Sequence, residues 1–312
     1  MRLRKSLAII ARFLLGCAGH LRVWFSLGRY MVKKTSHKFL KQRGQCIFCE
    51  LRPPTIKMTK EHVFGEWLRT LFPRDAATTH THGIVSFPIA GSSLTHPVTA
   101  TRQGQGHSGS KKVRVVCRTC NNGWLSAQVE GVAKPILTTL ITGTPGLINT
   151  DMQRILATWA AKTVMTAEHI NRGKAVVKQA DRTLLKDNLV PPPGWHVWIG
   201  SYSGVLWRDL GIFQHTGKLE IPSVDNSGTI EHNLELTLIG AGQLIFLVIN
   251  SSWQRIWDIL NGLGNPGGGG LERIWPIIEP TISWPRPHVL TDVEAEYFTN
   301  YLARVLEQPA HS

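Results

Sequence analysis

The chain has 312 residues with 35 Lys and Arg against 21 Asp and Glu, a formal net charge of +14. A chain of this length buries enough apolar surface to need no disulfide framework. The charge is uneven: residues 1–45 hold 11 basic residues and no acid, residues 46–130 hold 10 against 5, and residues 131–312 hold 14 against 16. Cationic surface over the first 130 residues favours a polyanionic partner. The slightly acidic remainder is unsuited to wrapping nucleic acid by charge.

Residues 1–45 read as a basic leader. Leu7 to Gly16 is apolar except for Arg12, follows Arg2, Arg4 and Lys5, and runs into Cys17, the outline of a secretory signal. Yet about ten apolar residues cannot span a bilayer, and Arg12 interrupts them. Met31-Val-Lys-Lys offers an alternative start. The reading is a cytoplasmic protein without a membrane span, whose first 30 residues are disordered, weakly helical or not translated.

Two cysteine pairs follow, Cys46-Ile-Phe-Cys49 and Cys117-Arg-Thr-Cys120, leaving Cys17 as the one other cysteine. Disulfides would require an oxidising compartment, and redox chemistry would need only one such pair. Four thiolates in two Cys-x-x-Cys knuckles satisfy a tetrahedral zinc. Between them lies Lys60-Glu61-His62. Neighbouring strand residues point to opposite faces, so Glu61 and His62 can share a site only where a strand ends. Gly65 and the helix-like Glu66–Leu71 provide that ending.

Phe72 to Lys112 is rich in Thr, Ser, Gly and His, with β-like pieces at Ile84–Phe87 and Val113–Val116. His80 and His82 read as loop residues. Gly104-Gln-Gly106-His-Ser-Gly109 follows no clear strand and precedes a strand rather than a helix, so it lacks the geometry of a phosphate cradle.

Cys-x-x-Cys, then Glu61-His62, then Cys117-Arg-Thr-Cys120-Asn121 resembles the HNH endonucleases of the ββα-metal superfamily in their zinc-bearing form. The resemblance covers about Gln45 to Glu130. Lys60 to Leu68 and Val116 to Trp124 match stretches that recur together in bacterial and phage members. It implies a hairpin followed by a helix, cradling a catalytic Mg²⁺ or Mn²⁺ beside a structural zinc held by Cys46, Cys49, Cys117 and Cys120. His62 matches the general base, and Glu61 and Asn121 match the ligands of the catalytic cation. The family's nine-residue spacing from its orienting Asn selects Asn121 over Asn122, which sits about 100° further around the helix. Lys112 stands where that orienting Asn is usual, and Gly65 where a Pro often follows the His.

The chemistry is coherent with phosphodiester hydrolysis. Imidazole titrates near neutral pH, and Mg²⁺ accepts one or two hard oxygen ligands while keeping several waters. Lys60, Lys111, Lys112, Arg114 and Arg118 are candidate phosphate contacts. The expected partner is DNA, with RNA left open, as is the oligomeric state.

Beyond Trp124, apolar residues at helical spacing predict a helix over Leu125–Leu140, kinked or broken at Pro135. A second helix over Asp151–His169 carries the stripe Ile155, Leu156, Trp159, Val164 and Met165, with His169 as a satisfied helix-end residue. Pro191-Pro192-Pro193-Gly194 marks a break. Trp195–Ile199, Gly211–Gln214, Leu234–Ile239 and Leu244–Ile249 read as strands, with a turn at Gly240-Ala-Gly242. Gly264–Gly270 reads as a hinge or linker. A last helix over Thr291–Leu306 is capped by Thr291 with Glu294 in a capping box. Tryptophans 195, 198, 207, 253, 257, 275 and 284 read as core or interface rather than a base-stacking surface.

The fold class read from the sequence is α+β. Residues 46–130 form a zinc-stapled ββα-metal (HNH, treble-clef-like) module and residues 131–190 a helical connector. Residues 191–312 form a mainly antiparallel α+β domain of unassigned role. The function read is a metal-dependent HNH-type endonuclease hydrolysing DNA phosphodiesters. Its rival is a catalytically inactive zinc-dependent module that binds nucleic acid or another protein.

Overall fold

The computed structural model describes residues 44–72, 79–86, 98–105, 108–170, 175–222, 229–253, 256–257 and 269–299. The architecture is α+β with mostly antiparallel sheets. Strand β1 (Met58–His62) pairs antiparallel with β4 (Lys112–Cys117), and between them the chain forms β2 (Thr79–Ser86) and β3 (Val98–Gln105). A helical turn, Arg118–Cys120, leads into a wide-turned π-helical segment, Asn121–Glu130, and then α1 (Gly131–Ile141). Strand β5 (Gly146–Asn149), α2 (Thr150–Ala167) and α3 (Gln179–Asn188) follow. Then come β6 (Trp195–Tyr202), β7 (Gly211–Pro222), β8 (Thr229–Ala241) and β9 (Leu244–Ser251). Strands β10 (Glu272–Trp275), β11 (Thr281–Trp284) and β12 (Val289–Leu290) precede α4 (Asp292–Thr299).

The main sheet has the order β10-β6-β9-β8-β7-β2-β3, with β12 beside β6. Its pairings are antiparallel except β12 with β6 and β2 with β7. Strand β9 is buried along its whole length, which accounts for a continuous apolar run where a half-exposed strand would alternate. Leu244, Phe246 and Val248 face one core, while Ile245, Leu247 and Ile249 face the other. Helix α2 covers the first face, where the Trp159 and Phe246 rings lie 5.6 Å apart. On the second, Ala295 and Phe298 of α4 pack with Leu234, Leu236 and Leu238 of β8. Each fully buried Leu, Ile, Val or Phe among these contributes about 1.5–3 kcal/mol.

The larger core runs from Cys46 to Trp284, so the three segments drawn from the sequence share one hydrophobic cluster. The sheet is shared as well. Strands β2 and β3, from the stretch between the two cysteine pairs, extend the β6–β9 sheet through Ile84↔Gln214 and Val85↔His215. Gly104 therefore lies at the end of a strand after all, but the chain continues into a short 3₁₀ turn (Ser108–Ser110) and β4, not a phosphate-cradling helix.

The four sequence-read strands lie inside β6, β7, β8 and β9. Gly242 takes a positive φ of 59° in the turn between the last two, which glycine adopts without steric cost. The first helix differs from expectation. It starts at Arg118 and passes through Pro135 without ending there; its dihedral break is at Gly123, with φ −91° and ψ −113°. The second ends at Ala167, leaving His169 beyond it. Among the described residues the Nε2 atom of His169 is buried without a hydrogen bond, 3.9 Å from Glu168 Oε1. Burial and the nearby Arg182 push its pKa down to about 3, so it stays neutral. Thr291 and Glu294 form the expected capping box: Thr291 N–H donates to Glu294 Oε2 (2.8 Å) and Glu294 N–H to Thr291 Oγ1 (3.4 Å). Trp195, Trp198, Trp257 and Trp284 are buried, and Trp207, Trp253 and Trp275 pack against the cores. The leader up to residue 43, with Cys17 and Met31, lies outside the described residues. So do residues 264–268 of the glycine run and residues 300–306 of the last helix. Among the described residues no helix is long and apolar enough to cross a membrane.

Candidate metal centre and adjoining acidic site

The first cysteine knuckle is a tight turn in which Glu50 N–H donates to Cys46 O (2.9 Å) and Glu50 adopts φ 58°. Ile47 N–H donates to Val115 O (2.9 Å), fastening the knuckle to β4. The second knuckle begins where β4 ends. Cys117 caps the helical turn by accepting from Cys120 N–H at 3.4 Å. All four sulfurs lie within 4.8 Å of one another, and Cys49 and Cys117 Sγ are 3.7 Å apart.

A tetrahedral Zn–S shell of about 2.3 Å radius places sulfurs about 3.8 Å apart, so the cluster fits a metal such as zinc. Hydrogen bonding from Cys120 holds Cys46 down to about 4 against burial, while burial lifts Cys49 to about 11 and Cys120 is raised through its bond to Cys46. The thiolate form is thus favoured at Cys46 and disfavoured at Cys49 and Cys120. A cation removes that conflict by stabilising several thiolates together.

The hairpin places the second group. Strand β1 ends at His62, and its register against β4 shifts between Thr59 and Glu61, an irregularity that re-aims side chains. Glu61 is turned inward and is 6% exposed. Its Oε1 lies 3.1 Å from Nζ of Lys162, a residue of α2 that is wholly buried. Lys162 also donates to Glu130 Oε1 at 2.7 Å. Glu130 Oε2 accepts from the indole N–H groups of Trp67 (2.9 Å) and Trp159 (3.3 Å). Burial raises the Glu61 pKa, and the Lys162 charge opposes that rise. Burial depresses the Lys162 ammonium, but Glu130 and Glu61 outweigh it and hold its pKa above the usual lysine value.

His62 is half-buried, and its buried Nε2 makes no hydrogen bond among the described residues and lies 3.9 Å from Glu66 Oε1. Burial, then the Lys112 charge, lower its pKa, which favours the neutral ring with a free lone pair. Asn121 is half-buried and donates its Nδ2 to Thr59 Oγ1 at 3.0 Å, leaving Oδ1 as the acceptor end. Asn122 is exposed. Glu61, His62 and Asn121 thus sit on or against β1, although Asn121 is fastened to Thr59 and Glu61 to Lys162. A carboxylate oxygen and an amide oxygen are donor types that hard cations accept, whereas an imidazole is the softer donor of the three.

Lys60, Lys112, Arg114 and Arg118 are exposed around this hairpin, and Lys111 is partly buried. Lys112 pairs directly opposite His62. Arg114 also spends a donor on Met58 O at 3.1 Å.

No family model, no curated protein and no solved structure matches the chain.

Glu130, Lys162 and Trp67 escaped the sequence reading as members of the site, and Trp159 was read there only as part of a buried stripe. The available signal was Lys162 itself, a single charge inside the apolar stretch Trp159–Ala167. Gly65 also finds its reason here. Its φ of −52° and ψ of 136° would suit proline. A Cβ at that position, however, would collide with the Glu130 carboxylate and the Trp67 indole. Gly65→Ala is therefore expected to lower stability by about 1–3 kcal/mol through overpacking, measured as the shift in urea midpoint at constant m-value. A midpoint at or above the wild-type value would contradict this.

Proposed function

We propose that the chain is a metal-dependent phosphodiester hydrolase of the HNH type acting on DNA, with a structural zinc in the four-cysteine cluster. The observation that carries the reading is the end of β1. His62 presents there a buried Nε2 that makes no hydrogen bond among the described residues, beside the inward-turned Glu61 and the strand to which Asn121 is bonded. The four cysteines hold β4 and the following helix at the geometry that presents Asn121.

His62, neutral at physiological pH, takes the proton from the attacking water. Glu61 and Asn121 would supply hard oxygens to a bound Mg²⁺ or Mn²⁺, and that cation would neutralise charge developing on the phosphate and the leaving oxygen. Lys60, Lys112 and Arg118, exposed on the same hairpin and the turn after it, meet the phosphate backbone.

The assay is cleavage of plasmid DNA by the zinc-loaded protein with Mg²⁺ or Mn²⁺, alongside His62→Ala. The inactive nucleic-acid-binding module remains the rival because the Lys162 ammonium already neutralises Glu61. DNA binding without cleavage under either cation would decide for it.

The two adjacent asparagines give a finer test. Asn121→Ala should raise the Mg²⁺ concentration needed for half-maximal cleavage and slow the reaction. Asn122→Ala, at an exposed position, should change stability by less than about 0.5 kcal/mol and leave the cation requirement alone. A stronger cation defect in Asn122→Ala would show that the ligand register is one residue out.

A further inference from the structure

Lys162 is 0% exposed and lies on α2, far in sequence from the hairpin it reaches. A buried ion pair is a poor way to gain stability, since well-packed apolar side chains do as well or better. What the arrangement does supply is geometry. Glu130 holds the ammonium at 2.7 Å, and the indoles of Trp67 and Trp159 hold the far oxygen of Glu130. The ammonium in turn takes Oε1 of Glu61 at 3.1 Å. Helix α2 is itself packed against the main sheet through Trp159 and Phe246. The chain of contacts therefore runs from a rigid helix to one oxygen of one carboxylate.

We infer that Lys162 is a positioning residue: anchored by Glu130, it holds Oε1 of Glu61 and leaves Oε2 as a single-oxygen ligand for a divalent cation. This rests on the nuclease reading given above. A carboxylate held this way binds a cation through one oxygen, as small octahedral cations such as Mg²⁺ and Mn²⁺ accept, and disfavours two-oxygen binding. Groups that orient a metal ligand from behind typically alter metal affinity by about 10–100-fold when removed.

The test is Mn²⁺ binding to the full-length, zinc-loaded protein without DNA, followed through the paramagnetic resonance signal of free Mn²⁺. The wild type should bind Mn²⁺, and Glu61→Gln should lose that binding. Lys162→Met should weaken it about tenfold or more while zinc content and far-UV circular dichroism stay unchanged. Trp67→Phe, which removes one of the donors to Glu130, should weaken binding in the same direction by less. If Lys162→Met does not fold, Trp67→Phe decides. Unchanged affinity in the folded variants would reduce Lys162 to a structural residue. Tighter binding in Lys162→Met would mean that the ammonium competes with the cation, which also overturns the inference. A wild type without Glu61-dependent Mn²⁺ binding would remove the nuclease reading as well. Retained affinity in Lys162→Met beside its loss in Glu61→Gln would remove this inference alone.

Discussion

Cys120→Ser should leave the protein without its metal and largely unfolded at 37 °C. The side chain is 3% exposed and belongs to the four-sulfur cluster. Structural zinc binding in small modules is worth about 10–16 kcal/mol, as large as the entire stability of a typical domain, about 5–15 kcal/mol. The effect should spread beyond the knuckles, because Cys46, Cys117 and Cys120 belong to the same core as Trp159 and Phe246. Elemental analysis and thermal melting check it: wild type near one zinc per chain, Cys46→Ser and Cys120→Ser with none and without a cooperative transition. Cys17→Ser is the control. Wild-type protein purified without chelator and carrying no zinc would refute the assignment.

On the proposed nuclease reading, His62→Ala should abolish cleavage while sparing the fold. Loss of a general base costs about 10²–10⁴-fold in rate, or about 3–5 kcal/mol of barrier. Few contacts are forfeited, because among the described residues Nε2 makes no hydrogen bond and Glu66 lies 3.9 Å away. Zinc content, melting temperature and DNA affinity should stay close to wild type, and kcat should carry the loss. Cleavage at the wild-type rate would take His62 out of the mechanism.

Much of the local structure was legible because it depends on short-range pattern. The runs that became β6, β7, β8 and β9 are apolar or β-branched segments closed by turn residues, and Thr291 with Glu294 capped its helix within one turn. The cysteine cluster was legible for the same reason. A knuckle needs two thiols in one tight turn, so its chemistry is written in a spacing of two residues, and only the meeting of the two turns required folding.

The rest depended on contacts between residues far apart in sequence. Nothing local to Phe72–Lys112 says that its strands extend the sheet through β7, because that edge is completed more than 100 residues later. Helical periodicity placed Trp159, Val164 and Met165 on a buried face but gave no partner for Lys162 among them. Partners that close a tertiary circuit, such as Glu61 and Glu130, carry no fixed offset. Gly65 looked like a missing proline until the Glu130 carboxylate was found in the space its Cβ would fill. The sequence by itself determined which residues could do chemistry, because donor type and short spacing are local properties. Only the tertiary structure decided how Glu61 is held, because a buried charge must be matched by whichever opposite charge the fold delivers to it.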